Sequence, residues 1–215
     1  DIMSERNKNK KARPEKMEEN ALVLDYLSLG YVQNDMSKFK GKAIAQAIGA
    51  DYFTLLELTP LKGSDFDIGD VIYIGRDRKK AKARVFSKLD YENLTATSRI
   101  ELDYAIRELV EAQEEKYVEF FNTAGSISTR LHKLELLPGI GKKHMWKTIE
   151  ARKAKPFESF EDISQRVPPL SDPAGMIVNR IKQELDTTVV KKGKNKYRLF
   201  TNVPKRTTKR NNEKK

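Results

Sequence analysis

Cysteine is absent from the 215 residues, which excludes disulfides and thiolate metal sites and leaves His132 and His144 as the only imidazoles. Equally missing is any run near the roughly 18 apolar residues a membrane helix needs. No charged stretch leads into an apolar one, so neither a membrane span nor a secretion signal is expected. A cytoplasmic compartment fits these absences. What is present is the composition of a soluble globular chain with polar extensions: 38% hydrophobic and 34% charged residues, nine Phe, eight Tyr and a single Trp. This length suits two small domains, each with a modest core.

The net charge of +11 is unevenly placed. Residues 1–16 hold six basic and three acidic side chains, and residues 188–215 hold eleven and one. Removing both tails from the 42 basic and 31 acidic residues leaves 25 and 27 between residues 17 and 187, a net of −2. Tails so polar cannot bury enough surface to fold alone, so they are either solvated or laid along a polyanion. Nucleic-acid phosphate is the favoured polyanion.

Five short segments with mostly period-two alternation predict strands: 21–27, 42–48, 52–58, 70–75 and 82–88, separated by glycines. They predict a small closed barrel of the OB or SH3-like kind over residues 17–97. KAIAQAI (42–48) could instead be a helical turn, since Ile44 and Ile48 are four apart. A hairpin is expected after Ile74, carrying Arg76, Arg78, Lys79, Lys80, Lys82 and Arg84. Along its second strand Ala83 and Val85 would share one face, and Lys82, Arg84 and Phe86 the other. Basic residues interleaved with an aromatic suit a nucleic-acid strand; the alternative is a solvated face whose lysine stems cover apolar surface.

From Ser98 to Phe121 the period becomes helical, with Leu102, Ile106, Leu109 and Phe120 on one stripe and Tyr117 and Phe121 widening it, which predicts a single connecting helix within residues 98–125. A helical domain over residues 126–187 follows. In it Ile127, Leu131 and Leu134 mark one short helix, and Met145, Trp146 and Ile149 the apolar face of another. Between them lies LLPGIGKKH. Glycines at 139 and 141 permit backbone angles closed to other residues and remove side chains that would hold a ligand away. The amides of this turn, and of the first turn of the next helix, can then converge on an anion. Ile140 would tuck between helices, with Lys142 and Lys143 supplying charge. Such a site grips backbone and reads no base.

LPGIGKK (137–143) resembles the helix-hairpin-helix motif of DNA-repair and junction-binding proteins. One departure is HMW, where many family members carry a small alanine, so the helix packing must differ in detail. Residues 157–185 carry a second, degenerate copy. Ser159 and Asp162 have capping-box spacing, and Asp172 and Pro173 open a helix with Ile177, Ile181 and Leu185 on one face. PPLSD lacks the glycines, and Asp172 would occupy the donors itself. The chain end, TTVVKKGKNKYRLFT, reads as two short strands around a turn that presents Lys191, Lys192, Lys194 and Lys196.

Across residues 21–200 the order of AIAQAIGADYFTLLEL, GDVIYIG, the LPGIGKK region, PFESFEDI and KYRLF is similar to an uncharacterised archaeal family. The resemblance implies an OB-like barrel joined to a tandem helix-hairpin-helix domain, an α+β chain with basic tails. It also implies nucleic-acid binding. Genes of that family neighbour those of a ribosomal-RNA dimethylase and a ribosomal protein, which points to structured, ribosomal RNA, with ribosomal proteins as further candidate partners. The alternative is a DNA-binding factor of repair or recombination. No cofactor and no catalytic activity are expected, because GIGKK lacks the GxxxxGK[ST] spacing of a P-loop. Base-excision glycosylases share the hairpin and use a later aspartate; Asp162 and Asp172 are the positions available, but both sit at expected helix caps in too short a segment. His132 and His144 read as surface or turn histidines.

Overall fold

A computed structural model describes residues 17–31, 41–189 and 192–202. The basic tails at 1–16 and 203–215, and Lys191, lie outside these. Five strands form one antiparallel sheet: β1 (Asn20–Leu27), β2 (Ile44–Gly49), β3 (Leu55–Pro60), β4 (Val71–Tyr73) and β5 (Ala83–Lys88), in the order β4-β1-β2-β3-β5. Each predicted strand is present, and KAIAQAI contributes a strand, not a helical turn. Five helices follow: α1 (Ala96–Ala112), α2 (Glu114–Thr123), α3 (Lys142–Ala154), α4 (Phe160–Arg166) and α5 (Pro173–Leu185).

The sheet is curled as a half-barrel. Both of its faces are buried. The inner face takes Ala21, Val23, Ala45, Ala47, Leu58, Ile72 and Ala83 from all five strands. With Leu56 of β3 on the same face, four of these eight strand residues are alanines, small enough to let the strands close round Phe66. The outer face, with Leu22, Leu24, Ile48 and Leu55, packs on α1 and joins a cluster running on to Ile177 and Ile181 of α5. Strands and helices therefore share one continuous apolar core.

Two bulges sharpen the curl. Where Val23 and Asp25 of β1 face adjacent residues of β2, Leu24 is the extra residue; on β5, Phe86 is extra opposite Glu57 and Leu58. The register keeps Ala83 and Val85 opposite Pro60 and Leu58, and the second bulge shifts the phase of β5 only beyond Val85, with Val85 and Phe86 both exposed at this sheet edge. The closed barrel and the β4–β5 hairpin are corrected too: β4 and β5 are opposite edges of the sheet, and residues 74–82 cross from one to the other.

The joint between sheet and helices is a buried polar network. The Gln46 side-chain amide donates to the Asn93 carbonyl at 3.0 Å and accepts from the Thr95 amide at 2.9 Å. Thr95 then caps α1, accepting from the Ser98 amide at 3.0 Å while donating to Asp25 at 2.6 Å. The expected single long helix is two, broken at Gln113, whose side chain donates to the carbonyls of Ala50 and Leu109. The apolar stripe continues through the break because one residue scarcely alters its phase.

Candidate phosphate-binding turn

The segment before the glycine turn is not the helix expected from Ile127, Leu131 and Leu134. Residues Ser126–Ser128 (β6) pair with Leu131–His132 (β7), and only a 3-10 turn, Lys133–Leu136, precedes Leu137. Ser126 and Ser128 alternate with Ile127 at a strand period, and the chain then turns on a tight cap. His132 accepts the Leu134 amide on Nδ1 at 3.1 Å, and the buried Glu135 carboxylate accepts the His132 amide at 2.8 Å. His132 is itself buried, a turn histidine but not a surface one.

From this support the chain enters the turn. The Ile140 amide donates to the Leu137 carbonyl at 3.1 Å, and both side chains are buried, so Ile140 anchors the loop and offers only main chain to a ligand. Gly139 has φ +90°, a conformation other residues rarely adopt. Gly141 differs from its expected role: its φ of −95° is open to any residue. An added Cβ there would meet nothing within 4 Å. What its missing side chain provides is access.

Residues 167–170 repeat the closure, the Leu170 amide donating to the Val167 carbonyl at 2.8 Å with both side chains buried. The two turns then diverge. Asp172 caps α5 through the Gly175 amide at 2.9 Å and pairs with Arg107 at 2.8 Å, hydrogen bonds that hold its carboxyl below the usual range against the upward push of burial. Ser159 similarly caps α4 through the Asp162 amide. Asp162 accepts from the Glu158 amide and Arg166. Neither aspartate stands free for chemistry.

Helix α3 is the contrast. No side chain caps it, its first turn holds no acidic residue, and Lys142 and Lys143 stand where the helix dipole is positive. The amides of Lys142, Lys143 and His144 have no intrahelical acceptor at that end.

Its two lysines are not equivalent. Lys142 Nζ donates to Glu135 and to the Arg130 carbonyl, both at 2.8 Å, whereas Lys143 is exposed without a partner among the described residues. Burial pushes the Glu135 carboxyl up, but hydrogen bonds from Lys142 and the His132 amide bring it below the ordinary range.

An open cleft of about 440 Å³ lies against the turn, bounded by Gly139, Gly141, Arg180, Gln183, Lys194 and Asn195. The expected C-terminal strands are absent from the described residues; Gly193–Lys196 is a 3-10 turn. It reaches the cleft because Lys194 Nζ donates to the Glu135 carbonyl at 2.8 Å. Lys192 and Lys196 are exposed nearby in sequence, the latter 5.0 Å from the Tyr197 ring centre. Sequence reasoning missed Arg180 and Asn195. No motif or periodicity singles out Arg180, and only its burial reveals it.

The other predicted residues, Arg76, Arg78, Lys79, Lys80, Lys82 and Arg84, are all exposed on the segment joining the sheet edges and the start of β5. Arg84 pairs Thr59 in the ladder, and Lys80 stands 3.9 Å from Asp77. None of them lines the cleft beside the glycine turn. Among the described residues no helix is long and apolar enough to cross a membrane.

Residues 17–202 match the family described as "Protein of unknown function (DUF655)". An uncharacterized protein of Methanocaldococcus jannaschii, MJ0038, is 42% identical over 191 residues, 89% of this chain and 83% of that protein. The crystal structure of Af1531 from Archaeoglobus fulgidus is similar with a TM-score of 0.76 and 42% identity, over 86% of this chain and 100% of that one.

Proposed function

The chain belongs to the DUF655 family, and we propose that it is a non-catalytic binder of structured RNA, ribosomal RNA foremost, that holds phosphate on the turn Gly139–Lys143. In this reading the turn and its degenerate repeat are a tandem helix-hairpin-helix unit whose first leading helix has shrunk to a 3-10 turn. The curled sheet stands for the OB-like barrel.

One observation carries the proposal. Helices α1, α4 and α5 each cap a first-turn amide with their own N-cap side chain, and α2, uncapped by a side chain, carries two glutamates in its first turn; α3 has neither and adds lysines. Within the protein that choice is locally unfavourable, and a phosphate oxygen converts it into a complementary site. Departures of this kind concentrate where a ligand belongs. Lys194 and the exposed basic residues 76–84 would add sequence-independent contacts to a curved backbone, each weakened by salt.

The test compares labelled ribosomal-RNA fragments with duplex DNA at fixed salt, using the native chain and Gly141→Val. The valine has room and an ordinary backbone angle, so folding is retained while its branched side chain covers the amides. RNA is expected to bind more tightly than DNA, and the variant to lose affinity about tenfold or more, the effect of losing roughly 1.4 kcal/mol of charge-assisted hydrogen bonding. Unchanged affinity in Gly141→Val would remove the turn from the site. A preference for duplex DNA would favour a repair or recombination factor.

A further inference from the structure

Next to the first turn of α3 opens a second cleft, of about 610 Å³, inside the size range of small-ligand sites. Lys142, Met145, Trp146, Ile149 and Arg152 line it from one face of α3. The sequence places Trp146 on a core stripe with Met145 and Ile149. Those two are buried, but Trp146 is 57% exposed. An exposed indole alone is unremarkable on a protein surface. Here it stands on a cleft whose lining also includes His132 and Arg152.

His132 is the second observation. It is only 7% exposed, and Nδ1 is occupied as acceptor for the Leu134 amide. The neutral ring therefore carries its proton on Nε2, which has no acceptor among the described residues, and His132 is one of the residues lining the cleft. Burial and the charge of Arg152 hold the ring neutral, since both push its pKa down. Arg152 adds a half-buried guanidinium, held by one bond of 2.9 Å from Nη1 to the Phe121 carbonyl, with its remaining N–H groups uncommitted among the described residues.

The cleft thus offers an aromatic face and a set of donors, with no carboxylate in its lining. Building on the phosphate-binding reading above, we infer that it receives one unpaired base of the bound RNA, stacked on Trp146 and read by His132 and Arg152. Aromatic faces accept any base, but N–H donors of His132 and Arg152 in a lining that holds no carboxylate favour an edge rich in acceptors. Guanine presents O6 and N7 together, the pair an arginine reads in bidentate fashion. Trp146 follows Lys142 by four residues, a rise of about 6 Å along the helix. One or two nucleotides span it, at about 3.4 Å of axis per nucleotide in a strand.

The single tryptophan makes the test direct, because its emission reports this cleft alone. The full chain is titrated with three RNA hairpins that differ at one position: fully paired, with one bulged guanosine, or with one bulged adenosine. The bulged-G hairpin is expected to bind about tenfold more tightly than the paired one and to quench the emission. Trp146→Ala should reduce it to the affinity of the paired hairpin, which itself does not change. His132→Asn keeps an acceptor for the Leu134 amide, but its own N–H groups stop short of the position of the ring Nε2–H, and the variant should shrink the preference for G over A.

Equal affinity of bulged and paired hairpins, emission unchanged at saturation, or an alanine variant weakened equally for both would each overturn the base cleft. The two readings separate cleanly. Binding of all three hairpins without quenching leaves the phosphate turn standing alone. G-dependent quenching that survives Gly141→Val supports the cleft and removes the turn. Failure of the native chain to bind any hairpin overturns both.

Discussion

Arg180 and Glu184 face each other at 3.2 Å one turn apart on α5, with both side chains only 1% exposed. The pair is a clip for the chain end. Glu184 accepts from the amides of Leu199, Phe200 and Thr201 at 2.6, 3.1 and 3.0 Å, while Arg180 donates to the carbonyls of Tyr197 and Lys194 at 2.7 and 3.2 Å. This seats Phe200 against Tyr117 and Phe120, and it brings Lys194 to the glycine turn. Glu184→Ala would leave a buried guanidinium and three amides unpaired. It should lower unfolding stability by about 3–5 kcal/mol in urea titration. An isolated buried ion pair tolerates joint replacement by apolar residues, but Arg180→Met with Glu184→Leu should not recover stability, because the amides stay orphaned.

The two lysines of α3 should separate by phenotype. Lys142→Met strands the buried Glu135 carboxylate and is expected to destabilise by about 1–3 kcal/mol. Its effect on RNA affinity should be small. Lys143→Ala should leave the melting temperature unchanged, weaken RNA binding and reduce the slope of log affinity against log salt by about 1. Paired thermal melts and salt titrations of the two variants check both halves.

This asymmetry marks where sequence reading stops. Five strands, the apolar stripe of α1 and α2, and the position of the glycine turn were legible, because periodicity and turn chemistry are local signals. The topology was not. That β4 and β5 lie at opposite edges depends on long-range pairing, and the phase shift beyond Val85 on a bulge that composition does not announce. The LPGIGKK motif located the turn, yet which of its lysines Glu135 would occupy depended on a 3-10 turn standing in place of a helix. Trp146 was misplaced because a helical stripe does not reveal whether a neighbour covers its last member.

The two glycines should likewise behave differently. Gly139→Ala places a Cβ at φ +90°, costing about 1–2 kcal/mol. Gly141→Ala meets open space and should be neutral in stability. Chemical denaturation of both variants decides this, and equal destabilisation would contradict the backbone description of the turn.

Tyr117 provides a prediction in the opposite direction. Its ring is buried, and its hydroxyl has no hydrogen-bond partner among the described residues. Burial and the nearby charge of Glu184 push its pKa up, so the group stays a neutral, unsatisfied phenol. Tyr117→Phe should raise stability by about 1 kcal/mol while keeping the edge contact with Phe200. A lower melting temperature in Tyr117→Phe would show that the hydroxyl is satisfied in solution.

Acid should loosen the support of the turn in two stages. His132 has its folded pKa lowered by burial and then by Arg152, below the ordinary value of 6.5. The unfolded chain therefore binds a proton at this residue before the folded one does, and stability falls as pH drops below 6.5, with no contribution from this group well above it. Glu135 is also lowered, from 4.5, the bonds from Lys142 and the His132 amide outweighing its burial. For a carboxylate the stabilisation is complete above that ordinary value and disappears as pH falls through the depressed one. Urea midpoints measured from pH 7.5 to 3 should thus decline first below about 6.5 and again below about 4.5. In His132→Asn the first decline should diminish and the second persist, because asparagine retains the cap without the titration. An undiminished first decline would place its source elsewhere in the chain.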